Sequence, residues 1–306
     1  MPPFSLSPSD ESLILKFTTI DKLFQDINST DGDALFVRGM YWDKPFTYEV
    51  LIALYSDLSA QNFLAIEQRR DGVHRHLRLK YLTTGKSTLL IITIPTLAHE
   101  LLHLELNMCF LYQLVPMGLE SQWLQNGATT RRSRKGDSSG EGDSSGCPDP
   151  PREFGDDWPT LIIEAGFSQS LESLQNIMRW WFSASEHQVK IVVLAKMDVQ
   201  QHTITIEKYT EYQPADHLPR VATRTTSAHV QRRDHHITIS RSSPSADLRD
   251  PNSYVVDSNT PVTLEFRKLF LREPRDREHD VTITTQQLQA YAVKAWKPIL
   301  LPNRPR

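Results

Sequence analysis

The sequence predicts an α/β protein, and residues 157 to 197 carry most of that reading. Thr160 to Ile163 is an apolar, β-branched run that meets the charged Glu164 and then Gly166 and Ser168, which puts a carboxylate at the end of a strand. From Leu171 the apolar residues recur at Leu174, Ile177 or Met178, and Trp181 or Phe182, the spacing of a helix with one buried face. Val189 to Leu194 returns as a buried strand. Strand, helix and strand in that order predict a right-handed crossover between parallel neighbours.

The flanking elements follow from the same signals. Residues 12 to 94 read as mixed α and β, with a helix over 47–58 and a hairpin of 77–82 and 87–94 around Thr83-Thr84-Gly85-Lys86. Pro95 stops the second strand. Thr96 is placed to cap a helix running to about Leu114, whose Leu97, Leu101, Leu104, Met108 and Leu111 form one stripe. Residues 127–157 are dominated by Gly, Ser, Asp, Arg and Pro and repeat GDSSG at 136–140 and 142–146, which predicts a mobile loop. Beyond His202 come strand-like runs at 203–209, 236–240 and 262–270, separated by polar segments at 213–235 and 241–253, and Gln286 to Trp296 closes as a helix. The domain reading is N-terminal α/β elements over 1–74, a core over 75–210, and a β-rich C-terminal extension over 211–306.

Composition narrows the functions. A chain of 306 residues that is 39% hydrophobic has enough apolar material for an ordinary core. A net charge of −3 supplies no global basic field, so any nucleic-acid partner must meet a local patch. Cys109 and Cys147 stand in an apolar run and a polar segment, which argues against a disulfide framework or a cysteine zinc site and fits a reducing compartment. The start lacks a basic stretch followed by an apolar one, and the run from Leu97 to Val115 is broken by His, Glu and Asn. The expectation is an intracellular chain, cytoplasmic or nuclear, with no membrane partner.

Several motifs bear on chemistry. His99-Glu100-Leu101-Leu102-His103 matches HExxH, which on a helix sets two imidazoles one turn apart for zinc, with Glu100 activating water. Against it, Glu105 stands where such helices keep an apolar residue, no HxxGxxH extension follows, and nothing singles out Glu120 or another third ligand. The alternative is that both histidines flank the core stripe of an amphipathic helix. The run Arg131-Arg132-Ser133-Arg134-Lys135 offers charge for phosphates or an import receptor, or is a solvated linker. Trp180-Trp181 reads as packing, with Trp181 in the core, ahead of base stacking.

The segment Trp158-Pro159-Thr160-Leu161-Ile162-Ile163-Glu164-Ala165-Gly166, then Ser168, Ser170, Leu174, Trp180-Trp181 and Val189-Lys190-Ile191-Val192, resembles the PD-(D/E)XK, or restriction-endonuclease-like, superfamily. The resemblance is closest to an uncharacterised fungal branch. It extends to an upstream Asp-Ser and to Thr260-Pro261-Val262-Thr263-Leu264-Glu265-Phe266 through Glu273-Pro274, covering residues 95–297. It implies a mixed sheet flanked by helices and a Mg²⁺-dependent phosphodiesterase site. Glu164 takes the acid of the E-x-K element, and Asp143, or Asp137 in the other copy of the repeat, takes its partner. Glu100 is a third candidate metal ligand, from the first helix. The E-x-K lysine falls on Gly166, so Lys190 or Lys196, which share a face at period two, are the candidate replacements. Arg179 is a candidate phosphate contact. Three functions stand: a Mg²⁺-dependent nuclease acting on DNA or RNA; a nuclease-fold binding or structural module that has lost catalysis, favoured by Gly166; and a zinc metallopeptidase on His99 and His103.

Overall fold

The computed structural model describes residues 14–28, 51–56, 58–70, 72, 77–84, 87–134, 137–167, 169–212, 229–243, 245–258 and 260–300. In chain order the N-terminal elements are β1 (Ile14–Lys16), α1 (Ile20–Asn28), β2 (Leu51–Ser56), α2 (Ala60–Arg70), β3 (Arg78–Thr84) and β4 (Ser87–Ile94). The helix expected over 47–58 is therefore a strand from Leu51, while 47–50 lie outside the described residues. A short apolar run suits either state, and here β2 is claimed by long-range pairing, parallel to β1 and antiparallel to β4. The hairpin is as expected, with Thr84 opposite Ser87.

Helix α3 (Leu97–Met117) follows, with Thr96 accepting a hydrogen bond from the His99 amide at 3.3 Å and Gly118 ending it at φ 69°. Its buried face is Ala98, His99, Leu102, His103, Leu106, Phe110 and Leu114. The expected stripe is the other one: Leu97 is 62% and Leu104 43% exposed. This helix is apolar on nearly every side, so spacing alone allows two stripes, and the two histidines disguise the one that is buried.

Among the described residues, 127–157 are only in part the loop their composition suggests. They contain β6 (Thr130–Arg132), β7 (Ser139–Glu141) and β8 (Ser144–Pro148), and Ser138 to Pro148 is buried throughout. Small residues are needed there because large rings lie on them. A Cβ on Gly140 would stand 2.7 Å from the Trp180 ring, and one on Gly146 would stand 2.5 Å from Trp123 Nε1.

The remaining elements are β5 (Trp123–Gln125), β9 (Leu161–Gly166), α4 (Leu171–Ala184), β10 (Ile191–Asp198), β11 (Thr203–Tyr212), β12 (Val230–Arg241), β13 (Tyr254–Val256), β14 (Val262–Leu264), α5 (Phe266–Phe270), β15 (Val281–Ile283) and α6 (Thr285–Leu300). The run expected as one strand over 262–270 divides into β14 and α5. One sheet has the order β1-β2-β4-β3-β7-β6, a second β13-β12-β11-β10-β9-β8-β5, and β14 pairs with β15. Within the second sheet β9 and β10 are parallel, with Leu194 opposite Glu164 and Lys196 opposite Gly166, and α4 connects them.

This mixed α/β architecture places α3 and α6 on one face of the second sheet, over Ile163, Val193 and Ala195. On the other face α4 packs on Ile162, Val192 and Leu194, together with Leu82, Leu89 and Ile91 of the first sheet. The first sheet's far side covers α1 and α2 through Leu79, Tyr81, Leu90 and Ile92. Among the described residues no helix is long and apolar enough to cross a membrane.

The packing of the Gly/Ser segment is directly measurable. Gly146→Ala should destabilise the protein by about 1–3 kcal/mol in urea denaturation, because the added methyl meets a buried indole. Gly155→Ala, in the same segment with nothing within 4 Å of its Cβ position, should stay within about 0.5 kcal/mol of the parent. Equal, small effects would restore the loop reading.

Candidate metal centre

The chain passes from the first sheet to the second between β7 and β8, and Asp143 stands at that crossing. Because Ser144 pairs with Ile163 in the antiparallel β8–β9 ladder, the residue before Ser144 falls beside Glu164. The two acids that the resemblance singles out are thus brought together. Asp143 Oδ2 accepts from the Ala165 amide at 2.7 Å, which fixes the carboxylate against β9. Both acids are buried, Glu164 completely.

The charges opposing them come from β3, where Arg78 and Lys80 share one face at period two. Lys80 Nζ lies 2.6 Å from Glu164 Oε2, and Trp181 Nε1 donates to Glu164 Oε1 at 2.5 Å. Arg78 bridges two acids, donating to Asp143 Oδ1 through one nitrogen and to Glu100 Oε1 at 2.6 Å through the other. Helix α3 adds His99, whose Nε2 is 3.3 Å from Asp143 Oδ2. His103 places Nδ1 2.8 Å from Ser144 Oγ, and its Nε2 3.3 Å from Glu100 Oε2.

These contacts set the proton affinities. Burial, helped by the neighbouring Asp143 charge, lifts the Glu164 carboxyl to about 7, against the pull of Lys80 and Trp181. Burial also opposes ionisation of Asp143, but the charges of His99 and Arg78 outweigh it and hold this carboxyl well below the ordinary range. Desolvation depresses His99, yet Asp143 more than compensates and raises the imidazole to about 9. Glu100 is lowered in spite of its own burial by hydrogen bonds from His103 and His99 and by Arg78, while burial lowers His103. Two adjacent acids therefore differ in character, one ionised and one poised near neutrality.

The other expected residues are placed elsewhere. Lys190 donates to the His187 carbonyl at 2.7 Å. Lys196 stands opposite Gly166 but gives its ammonium to the carbonyls of Phe167 and Met197 at 2.6 and 2.7 Å. The ammonium on Glu164 belongs to Lys80. A Cβ at position 166 would lie 2.5 Å from Leu174 Cδ1 of α4, so a side chain there would require Leu174 to move. Asp137 accepts from Ser133 Oγ in a turn, and the exposed Arg179 bonds Asn176 on its own helix. In the basic run, Arg131 donates to the Gly155 carbonyl, Arg132 pairs with Glu67 and Arg134 with Glu186. Trp180 is buried and donates to Ser138 Oγ.

His99, Glu100 and His103 do present ligand atoms within 4.8 Å of one another, with Glu100 as the third donor. Glu120 lies exposed in a turn beyond α3. In this arrangement Asp143 Oδ2 faces His99 Nε2 at 3.3 Å, and Ser144 Oγ lies 2.8 Å from His103 Nδ1. Arg78 and Lys80 escaped the sequence reading, although one signal was present: two like charges at period two inside an otherwise apolar strand, Leu77 to Leu82. Comparison of the chain with protein-family models gives no match, and neither does comparison with curated proteins.

The poise of Glu164 has a consequence for stability. An acid whose folded pKa is raised contributes stability that is complete below its unfolded value and is lost as pH rises through the folded value. Between pH 4.5 and about 7 the parent should therefore lose stability relative to Glu164→Gln, by roughly 2–4 kcal/mol, and the gap should level off above that window. Losing the Lys80 bond offsets the variant as a whole, so the slope is the quantity to read. Parallel stability curves for the two proteins would mean that Glu164 titrates as an ordinary carboxyl.

Proposed function

We propose that this chain is a Mg²⁺-dependent phosphodiesterase acting on nucleic acid, built on a restriction-endonuclease-like fold. The observation that carries the reading is the juxtaposition of Asp143, immediately before β8, with Glu164 of β9, with the Lys80 ammonium 2.6 Å from Glu164. A mixed sheet with α4 on one face and α3 on the other supports the fold that the resemblance implies.

The donor set suits the cation. Asp143, Glu164 and Glu100 offer hard carboxylate oxygens, the ligands Mg²⁺ prefers, and Arg78 already bridges two of them as a positive charge. When bound, Mg²⁺ would polarise a phosphoryl oxygen and make its water more acidic. Lys80, approaching from β3, takes the role of the lysine that position 166 lacks, stabilising negative charge that develops beside Glu164. Arg78 is the residue that yields its carboxylates to the cation.

One observation favours a second reading, a nuclease-fold binding or structural module. Both Glu164 oxygens and both Asp143 oxygens already have protein donors, so Arg78 and Lys80 can satisfy the acids without a cation.

A cleavage assay on single- and double-stranded DNA and RNA with Mg²⁺ or Mn²⁺ separates the two. Glu164→Gln and Asp143→Asn should abolish cleavage, and Lys80→Met should lower kcat on the order of 10²-fold or more with a smaller change in KM. Asp137→Asn and Lys190→Met should retain activity. If no substrate is cut, or if Glu164→Gln cuts as well as the parent, the module reading replaces the enzyme.

A further inference from the structure

At the far end of α4 a second group of ligating side chains takes no part in the acidic cluster. His187 lies in the turn between α4 and β10, Glu211 near the end of β11, and His229 immediately before β12. His187 Nδ1 is 2.7 Å from Glu211 Oε2, and His229 Nδ1 is 3.8 Å from the same oxygen. The two imidazoles are stacked, with centroids 3.7 Å apart and planes within 5°. Both rings thus turn their Nδ1 atoms to one carboxylate.

We propose that His187, Glu211 and His229 form a Zn²⁺ site, with water as the fourth ligand. Two imidazole nitrogens and one carboxylate oxygen are a borderline donor set, which favours Zn²⁺ over the hard Mg²⁺ proposed for Asp143 and Glu164. Their ligand atoms all lie within 4.8 Å of one another, and because the ring planes are parallel, one imidazole would turn out of the stack for both lone pairs to meet a shared ion. The side chains of His187 and His229 are 38% and 26% exposed, open enough for an ion to enter, while Glu211 is nearly covered.

The surroundings hold the group in place. Gln231 Nε2 donates to Glu211 Oε1 at 3.0 Å, which leaves Oε2 directed at the histidines and supplies the outer hydrogen bond typical of metal carboxylates. Glu186 and His187 have φ of 51° and 66°, two successive left-handed residues where glycine or asparagine is favoured. The His187 amide caps α4 by donating to the Phe182 carbonyl at 2.8 Å, and Lys190 Nζ holds the His187 carbonyl from the other side. A backbone that would accept glycine instead carries an imidazole, aimed at the acid. The bound ion would tie the α4–β10 turn to the paired ends of β11 and β12. This inference does not depend on the phosphodiesterase reading.

The test is Zn²⁺ uptake by the full chain after stripping with chelator, measured by calorimetry and by competition with a chromogenic chelator. The variants are His187→Asn, which tolerates the left-handed backbone, together with His229→Ala, Glu211→Gln and, at the other histidine pair, His103→Ala. The proposal predicts that the first three each lose one equivalent, or weaken it at least about tenfold, while His103→Ala retains it. Zn²⁺ should raise the melting temperature of the parent and not that of His187→Asn, whose metal-free melt serves as the folding control. Should His187→Asn and His229→Ala take up Zn²⁺ as the parent does, or should the parent take up none at micromolar concentrations, the site is only a hydrogen-bonded His-Glu pair.

Discussion

Lys80 and Glu164 come from different sheets, and each lowers the cost of burying the other. A carboxylate with no exposed surface loses several kcal/mol of hydration, and only a close cation and good hydrogen bonds recover it. Glu164 finds these in Lys80 and Trp181, so β3 must lie across the end of β9 with α4 in its observed position. Arg78 adds the same constraint through Asp143 and Glu100. Apolar surfaces on the two sheets can pack in several registers. These pairs accept one, and the register they accept is the one that gathers the acids.

The arrangement is reinforced from the other side of α4. Glu207 on β11 is completely buried and is held by Gln175 of α4, Tyr209, Arg233 and His236. The adjacent Lys208, equally buried, pairs with Asp234 and Glu265. The Gln175 bond pins α4 to β11, and Trp181, two turns further along the helix, is thereby kept over Glu164. Leu174 closes the space at Gly166 in the same way. The ammonium beside Glu164 comes from Lys80 of β3.

What the sequence made legible was local. The apolar runs of β9 and β10 with helical spacing between them and the Thr96 cap depend on neighbours within a few residues, while Glu164 lies inside β9 rather than at its end. Lys80 meets Glu164 across 84 positions, and no periodicity reports such a contact. The Gly/Ser-rich segment misled for a related reason. Small residues signal a turn unless something large lies on them, and Trp123 and Trp180 are remote from view in a linear reading. On α3 a helix apolar all round hid its buried face behind two histidines, and the run at 51–56 took its state from partner strands rather than from its own spacing.

The central claim is that Asp143 and Glu164 form a cation site whose place Arg78 and Lys80 keep. A crystal structure of the protein with Mn²⁺, which replaces Mg²⁺ and scatters anomalously, tests it most directly. The account predicts an anomalous peak in contact with both carboxylates, with the Arg78 guanidinium withdrawn from Asp143. A crystal with Mn²⁺ at millimolar concentration, no peak between the two acids and Arg78 still on Asp143 would contradict it.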